Sequence, residues 1–516
     1  MSGAPPNVLL IMFDQLAPQF LPCYGHGVVK APNLQRVADA GVLFENAYCN
    51  SPPCAPSRFS MLSGRFASRI GAFDNASEFP ARVPTLAHYL RSMDYRTCLA
   101  GKMHFIGADQ LHGYERRLTT DVYPGDFGWT PDWEGTGARP FWYHDMLSVV
   151  EAGAYERTLE LDFDEEVAHQ SLREIYDIAR DSDERPFFLT VSFTQPHDPY
   201  MTPAGYWNRY RGEDIDLPRV PAPPFEERDP HSQRLYATCD MGAYRVTESH
   251  IRNSRRAYYG MIAWLDDQVG RLLDALEQTG QKERTIVILT SDHGDMLGER
   301  GLWYKMCFYE HAVRVPMIIQ GAHVPRGLRV NENVSLVDLL PTVLELAGNA
   351  GNDARAAPLD GHSLAPLMNG AGSQWADLVI SEYLAEGITQ PMLMVKRGSH
   401  KYICCDGDPP QLFDLQNDPQ ELNNLAGGNT HGEIEAAFAS TANGHWNPEA
   451  VRAQVIASQR DRQVVQEALL NGAITPWDFQ PRQDAAAQYN RNYAGEMYET
   501  DRRARIPYRD PPPPDA

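Results

Sequence analysis

Short apolar segments that alternate with helical patterns constrain the fold of this chain more than any other feature. Each segment is bounded by polar residues and has the length of a buried strand; they cover residues 8–13, 97–100, 187–193, 285–290 and 315–320. The clearest helical pattern spans residues 254–278, with Ser254 as a candidate N-cap and Gly280 just past its end. Strands that alternate with helices predict a doubly wound α/β domain.

A second region with a different pattern begins near Trp375. Four short strand patterns are separated by turn residues and followed by a helical stretch; they cover residues 378–383, 392–397, 401–405, 411–415 and 448–471. The sequence therefore predicts a main α/β domain over residues 1–375, a smaller C-terminal α+β domain over 376–480, and an extended tail over 481–516. The tail is either a disordered end or an arm that wraps a neighbouring subunit.

The bulk composition excludes several classes of partner. A formal net charge of -22 argues against nucleic acid, because binding of phosphates needs a basic surface. No segment approaches the roughly 20 apolar residues of a membrane span, and the apolar run near the N-terminus lacks a basic leader. We expect no membrane partner and a cytoplasmic location. The 8 cysteines have neither disulfide-framework nor zinc-site spacing.

Ionisable residues follow four of the predicted strands directly. They are Asp14 after the first strand, Lys102 and His104 after the second, His197 after the third, and Asp292 and His293 after the fourth. One such residue alone is more often a turn or a helix cap. Because ligands bind outside the carboxyl ends of the strands in open α/β sheets, we expect all of these side chains to meet at one edge.

These residue types indicate a particular chemistry. Carboxylates beside an imidazole suit Ca²⁺, Mg²⁺ or Mn²⁺. Positive charge comes from Arg58, Lys102, His104, His197 and Lys305. A metal cation and these positive side chains together neutralise a tetrahedral oxyanion ester, and a protonated side chain can give its proton to the leaving group. The residues therefore favour sulfuryl or phosphoryl transfer.

A cysteine at the start of a helix is the candidate nucleophile. Pro56 suits a first helical turn, which places Cys54 at a helix N-terminus, where an anion is favoured. A buried cysteine in a proline-rich turn explains the spacing equally well. However, residues 54–58, Cys-Ala-Pro-Ser-Arg, resemble the signature of the sulfatase family, and Gly64-Arg65 follows at the expected distance. Further segments resemble the same family in order along the chain; they cover residues 101–104, 194–197, 291–295, 303–305 and 412–425.

This resemblance implies an alkaline-phosphatase-like α/β fold, with a mixed or parallel sheet flanked by helices, and a hydrolase of sulfuric esters. It implies that a formylglycine-generating maturase oxidises Cys54 to formylglycine (3-oxoalanine), whose hydrate attacks sulfur. The implied metal ligands are Asp14, Cys54, Asp292 and His293, for Ca²⁺ or alternatively Mn²⁺ or Mg²⁺. His293 stands where many sulfatases carry Asn.

The resemblance also implies catalytic roles for the cationic residues. Lys102, Lys305 and Arg58 neutralise the sulfuryl oxygens. His104 takes the proton of the second hydroxyl of the hydrate, and His197 or Lys305 protonates the departing alcohol.

Within the family, several segments resemble choline sulfatases: residues 101–105, 109–114, 126–133, 381–387 and 476–482. The resemblance implies choline-O-sulfate as the small-molecule substrate. A quaternary ammonium needs aromatic faces and a carboxylate, for which Trp129 and Glu386 are candidates. The full set of predicted substrate-binding residues is Asn75, Trp129, His144, Asp145 and Glu386.

Two departures from the choline sulfatase pattern concern the alcohol part of the substrate. The first is Asp145, which follows His144 where the pattern has an Asn. The second concerns the acid that the family's C-terminal arm offers to a neighbouring active site. This acid has no exact counterpart here, although Glu496 or Glu499 could replace it. If the arm works as in that family, the protein is a homodimer or homotetramer.

Three alternatives remain open at this point. Another alkyl or aryl sulfatase fits the catalytic residues equally well. A phosphonate monoester or phosphodiester hydrolase shares the fold and the formylglycine, but typically has Tyr and Thr where this chain has Lys102 and His104. A non-catalytic binding protein on an inactive sulfatase fold is disfavoured, because every expected catalytic position is filled.

Overall fold

The computed structural model describes residues 5–135, 140, 143–349, 358–471 and 501. Its main feature is an eight-stranded sheet. The strands are β1 (Asn7–Phe13), β2 (Val42–Tyr48), β3 (Arg96–Gly101), β4 (Arg116–Arg117), β6 (Phe187–Ser192), β8 (Thr285–Ser291), β9 (Arg314–Gln320) and β10 (Leu328–Ser335). Their order in the sheet is β10-β2-β9-β8-β1-β6-β3-β4. A two-stranded sheet pairs β5 (Gly153–Ala154) with β7 (Met201–Thr202).

The pairing in the main sheet explains how one edge can collect functional groups. β8, β1, β6 and β3 are direct neighbours and run parallel, so their carboxyl ends lie side by side. β9 runs antiparallel to both β8 and β2, which makes the sheet mixed. All seven residues of β1 and of β8 are buried, as expected for strands covered by helices on both faces.

Helices flank the main sheet and connect its strands. They are α1 (Pro32–Asp39), α2 (Cys54–Ser63), α3 (Ala67–Ile70), α4 (Leu86–Ser92), α5 (Leu147–Val150), α6 (Leu159–Arg180), α7 (Ala204–Asn208), α8 (Pro230–Thr238), α9 (Glu248–Gln278), α10 (Glu310–Val313), α11 (Leu339–Leu346) and α12 (Ala365–Met368).

The start of the long helix α9 corrects one expectation. The helix begins at Glu248, and the hydroxyl of Thr247 caps it by accepting from the backbone N–H of His250 at 3.3 Å. The predicted cap, Ser254, lies buried inside the helix, where its hydroxyl bonds back to the carbonyl of His250. The first turn of the helix is polar, so the apolar pattern does not include it.

A separate antiparallel sheet follows the main one. It consists of β11 (Leu378–Tyr383), β12 (Met392–Arg397), β13 (His400–Cys405) and β14 (Gln411–Asp414), and two helices follow it, α13 (Gly432–His445) and α14 (Pro448–Leu470). Phe438 and Ala442 of α13 pack on Leu393, Tyr402 and Leu412 to form a small second core. This sheet lies within the predicted range 376–480, and the domain boundaries themselves stay predictions. The predicted tail falls outside the described residues apart from Asp501.

No helix in the described part of the chain is long and apolar enough to cross a membrane.

Candidate active site

The carboxyl ends of the four neighbouring strands deliver the predicted groups to one buried site. Asp14 follows β1, Lys102 and His104 follow β3, His197 lies past the end of β6, and Asp292 begins the loop after β8. Each of these side chains is at least nine-tenths buried. Gly101 ends β3 with a φ of +100°, and a Cβ there would lie 1.9 Å from the carbonyl oxygen of Ser192. Only glycine therefore allows β3 to approach β6 this closely just before Lys102.

Helix α2 presents Cys54 to this site. The helix begins at Cys54 itself and ends at Ser63, and Gly64 caps it with a φ of +64°. Asn75 holds the first turn, because its Oδ1 accepts from the backbone N–H of Ala55 at 3.0 Å. Burial and then the charge of Asp14 raise the pKa of the Cys54 thiol to about 11. The unmodified thiol is therefore protonated near neutral pH and is a weak nucleophile.

Four side chains form a group that fits a divalent cation. One ligand atom from each of Asp14, Cys54, Asp292 and His293 lies within 4.8 Å of the others, and all four residues are buried. Nε2 of His293 is 3.6 Å from Oδ1 of each carboxylate and 3.1 Å from Sγ of Cys54. Nδ1 of His293 lies 3.0 Å from the carbonyl of Gly294, which assigns the proton to Nδ1 and leaves the lone pair of Nε2 facing the group. Two carboxylate oxygens and an imidazole around a common point suit Ca²⁺, Mn²⁺ or Mg²⁺.

Arg58 binds the far oxygens of the same two carboxylates. Its Nε donates to Oδ2 of Asp292 at 2.8 Å and its Nη2 to Oδ2 of Asp14 at 3.2 Å. Its Nη1 donates to the carbonyl of Lys102 at 2.6 Å and to the hydroxyl of Ser192 at 2.8 Å. Through these contacts Arg58 orients the two carboxylates and ties the ends of four strands together, β1, β3, β6 and β8. Its predicted role in neutralising the sulfuryl oxygens stays a prediction.

Lys102 balances the negative charge of Asp14. Its Nζ contacts Oδ2 of Asp14 and lies 4.0 Å from the centre of the Tyr123 ring. Burial opposes ionisation of Asp14, but the positive charge of Lys102 and of the groups around it outweighs burial and holds the pKa of Asp14 well below its usual range. Asp14 is therefore a carboxylate throughout the ordinary pH range.

Lys305 and His197 form a second buried pair at the site. Nζ of Lys305 lies 2.6 Å from Nε2 of His197 and donates to Oε1 of Gln15 at 2.7 Å. Nδ1 of His197 lies 2.6 Å from the carbonyl of Asp198, so the ring proton is on Nδ1 and Nε2 accepts from the ammonium. Burial and then the charge of Lys305 hold the pKa of His197 well below its usual value. One transferable proton therefore resides on Lys305.

The carboxylate of Asp198 anchors this pair from behind. It accepts from Gln15 Nε2 at 3.2 Å and from the hydroxyl of Ser148 at 3.1 Å, and it lies 3.3 Å from Nδ1 of His144. His144 thus reaches the site through Asp198. The carboxylate of Asp145 instead accepts from the backbone N–H of Leu147 at the start of α5, so its observed contact is with a helix terminus.

An aromatic group covers the other side of the site. The ring of Tyr123 lies 5.5 Å from His104, 5.6 Å from Trp129 and 5.6 Å from His197, measured between ring centres. Trp129 meets the His104 ring edge-on at 5.9 Å. Burial and then the charge of Lys102 hold the pKa of His104 well below its usual value, so the imidazole is neutral and can accept a proton.

Glu386 lies on the loop after β11. The residue is buried, and Oε1 has no hydrogen-bond partner among the described residues. Burial and then the charge of Asp74 raise the pKa of Glu386 to about 8. Asp74 itself is paired with Arg462 of α14 through two bonds of 2.7 and 2.8 Å. The last described helix thus contributes to the surroundings of Glu386.

Several residues of this site were not predicted from the sequence, among them Gln15, Asp198, Tyr123 and Asp74. Gln15 and Asp198 directly follow predicted site residues, so the rule about strand ends could have indicated them. Tyr123 and Asp74 lie in irregular segments, and no local pattern distinguishes them from core residues.

Comparisons with known proteins identify families and relatives that this chain resembles. The family model "Sulfatase" matches residues 6–349, "N-sulphoglucosamine sulphohydrolase, C-terminal" matches 298–444, and "Choline sulfatase enzyme C terminal" matches 453–506. A choline-sulfatase of Rhizobium meliloti (strain 1021) is 45% identical over 501 residues, which are 96% of this chain and 97% of the relative. Arylsulfatase K of Danio rerio is 32% identical over 82% of this chain and 80% of its own.

A solved structure supports the same fold. The phosphonate monoester hydrolase of Agrobacterium radiobacter superposes with a TM-score of 0.67 at 25% identity, covering 87% of this chain and 96% of its own. The fold is thus the alkaline-phosphatase-like α/β fold with a separate antiparallel sheet. Formylglycine and a bound metal are general features of the matched family, and the buried donor group is consistent with both. The chain belongs to the sulfatase family and is a hydrolase of sulfuric esters.

Proposed function

We propose that the substrate is a sulfate ester of a quaternary ammonium alcohol, with choline-O-sulfate as the first candidate. The observation that carries the proposal is the buried Glu386, whose Oε1 has no partner among the described residues. A buried acceptor without a partner is costly unless a ligand satisfies it. A quaternary ammonium cannot donate a hydrogen bond, but it neutralises a carboxylate and packs on the faces of aromatic rings such as Trp129 and Tyr123. The 45% identity to a choline-sulfatase supports the same substrate.

The catalytic residues have distinct roles in this proposal. Oxidised residue 54 supplies the nucleophile, and a cation held by Asp14, Asp292, His293 and residue 54 would stabilise negative charge that develops on the ester oxygens. The ammonium of Lys102, which lies over the Tyr123 ring, would neutralise charge on the same oxygens.

Proton transfer is divided between the two sides of the site. Lys305 carries the proton that the departing alcohol needs, and His197 keeps its ammonium in place through the 2.6 Å contact. His104 is neutral, and within the described residues both of its ring nitrogens are without a hydrogen-bond partner, so it can take the proton that residue 54 must lose when sulfate leaves.

Several finer predictions belong to the same proposal. The cation is Ca²⁺ first, with Mn²⁺ and Mg²⁺ as alternatives, because the donors are mostly hard oxygens. A formylglycine-generating maturase modifies Cys54 before the enzyme is active. The protein is a homodimer or homotetramer in the cytoplasm.

A specificity profile tests the substrate proposal directly. We expect kcat/KM to be highest for choline sulfate, lower for its neutral isostere in which a quaternary carbon replaces nitrogen, and lowest for a phosphonate monoester. Equal values for the charged and neutral esters would contradict the proposed ammonium site, and a preference for the phosphonate would favour the phosphonate hydrolase alternative that the solved neighbours suggest.

Glu386→Gln should weaken the reaction of cationic esters selectively. At about pH 9 the carboxylate is charged, because its pKa is about 8. Loss of a charge-assisted contact costs about 1.5–3 kcal/mol, so kcat/KM for choline sulfate at that pH should fall roughly 10- to 100-fold, with less than about a threefold change for the neutral isostere. Glu174→Gln is a matched control, because Glu174 is a buried glutamate of α6 that is paired with Arg116 of β4. If both esters lose activity equally, Glu386 does not contact the ammonium group.

The raised pKa of Glu386 predicts a pH effect with a definite sign. Its pKa is about 8 because burial and the charge of Asp74 disfavour the anion. The group is neutral below that pH and charged above it, so cation recognition should improve as pH rises. The ratio of kcat/KM for choline sulfate to that for its neutral isostere should increase between about pH 6 and pH 9 in the wild-type enzyme and stay flat in Glu386→Gln.

A further inference from the structure

The carboxylate of Asp121 binds the backbone of the loop that carries His104. Its Oδ2 accepts from the backbone N–H of Met103 at 2.9 Å and from that of His104 at 2.8 Å. Its Oδ1 accepts from the backbone N–H of Val122 at 3.0 Å. A carboxylate with several backbone donors is a strong and directional restraint.

The conformation of His104 requires such a restraint. Its φ is +58°, in the left-handed region, which a residue with a Cβ adopts at a cost of about 1–3 kcal/mol unless its surroundings enforce it. Catalytic histidines are usually oriented by a hydrogen bond to the second ring nitrogen. Neither ring nitrogen of His104 has a partner among the described residues. Its orientation is therefore set by the backbone and by packing against Tyr123 and Trp129.

Asp121 is itself fixed by a buried arginine. Nη2 of Arg117 donates to Oδ2 of Asp121 at 3.0 Å, and its Nη1 donates to the side chain of Gln110 at 2.6 Å. Both partners of this ion pair are buried, so water does not compete for their hydrogen bonds. Tyr123 lies only two residues from Asp121, so one short segment supplies both the backbone restraint and an aromatic face for the His104 ring.

We infer that Asp121 is a positioning residue that holds His104 in its left-handed conformation and directs its imidazole at residue 54. The charged carboxylate is required, since it neutralises Arg117 while it accepts from the two backbone N–H groups. This inference rests on the proposed role of His104 in catalysis.

Two substitutions test it. Asp121→Ala removes every acceptor, and the milder Asp121→Asn removes the charge. We expect kcat for choline sulfate to fall about 10- to 100-fold, the cost typical of disturbing a residue that orients a catalytic group, with KM within about threefold. We also expect faster hydrogen exchange at the amides of Met103 and His104. Hydrogen exchange is measured by mass spectrometry. It is also measured with the Asp121 substitutions in the Cys54→Ala protein, which is expected to be inactive, so that turnover cannot affect the exchange rates.

Asp266→Ala and Asp266→Asn are the matched controls, because Asp266 is a buried carboxylate of α9 that accepts from the backbone N–H of Leu34. They should lower the midpoint of thermal unfolding by a similar amount without the fall in kcat. The inference is wrong if the Asp121 variants keep kcat within twofold of these controls, or if Asp121→Asn leaves both amides fully protected. His104→Ala separates the two proposals. Near-normal turnover in His104→Ala would remove the catalytic role of His104. If His104→Ala loses turnover but the Asp121 variants keep it, only the positioning role is removed.

Discussion

Replacement of Cys54 by alanine is expected to reduce turnover by at least about 10⁴-fold while the fold stays intact, because the variant has no nucleophile and no precursor of one. Cys54 lies 3.1 Å from His293 and 3.8 Å from Asp14, but neither contact ties helix α2 in place. Asn75 and the following turns of the helix do that. Steady-state kinetics with choline sulfate and an aryl sulfate measures the loss, and circular dichroism and thermal unfolding report on the fold.

Mass spectrometry provides the companion measurement for this variant. The wild-type peptide that contains residue 54 should be lighter than its cysteine form by about 18 Da, since the thiol is oxidised to an aldehyde. Cys23→Ala serves as a control, because Cys23 is also buried but follows no strand of the site. Wild-type-like turnover in Cys54→Ala would remove the covalent mechanism, and turnover by an enzyme whose residue 54 is entirely cysteine would remove the need for oxidation.

Much of the fold was predictable because buried parallel strands leave a strong signal. The strands that become β1, β6 and β8 are continuous apolar runs, and each matches its predicted range to within one residue at either end. β2 and β10 were missed because polar residues such as Glu45, Asn331 and Glu332 interrupt their apolar pattern. Both lie toward one edge of the sheet, where only part of each strand is buried.

The site was predictable to the extent that it is made of strand ends. Asp14, Lys102, His197 and Asp292 were indicated by position alone, because parallel neighbouring strands must bring their carboxyl ends together. The order of the strands was not predictable from local patterns, since adjacency of β8, β1, β6 and β3 depends on long-range pairing.

Contacts made by irregular segments account for what was missed. Arg462 lies on α14 and pairs with Asp74, which is 388 residues away in sequence. Asp121 and Tyr123 act through a short loop whose conformation no periodic pattern describes. Such contacts form only once the sheet has brought distant loops together, so composition and spacing carry no signal for them.

Lys305→Ala is expected to affect substrates according to their leaving groups. An alkoxide is a poor leaving group and needs a proton, whereas a nitrophenolate leaves without one. Removal of a general acid costs typically 10²- to 10⁴-fold, so kcat/KM for choline sulfate should fall by about 10³-fold and that for nitrophenyl sulfate by less than about tenfold. The expectation follows from the position of the ammonium, which Gln15 and His197 hold at 2.7 and 2.6 Å.

Lys102→Ala is the matched control for this prediction, because Lys102 contacts Asp14 and lies over the ring of Tyr123 rather than beside His197. Loss of its charge should slow alkyl and aryl esters by similar factors, since the sulfuryl oxygens are the same in both. A plot of log kcat/KM against leaving-group pKa should therefore steepen in Lys305→Ala and only shift downward in Lys102→Ala. A uniform loss in Lys305→Ala would mean that its ammonium neutralises charge and that another group protonates the alcohol. His197 would then be the remaining candidate, and its ring would have to carry a proton on Nε2 rather than accept there from Lys305.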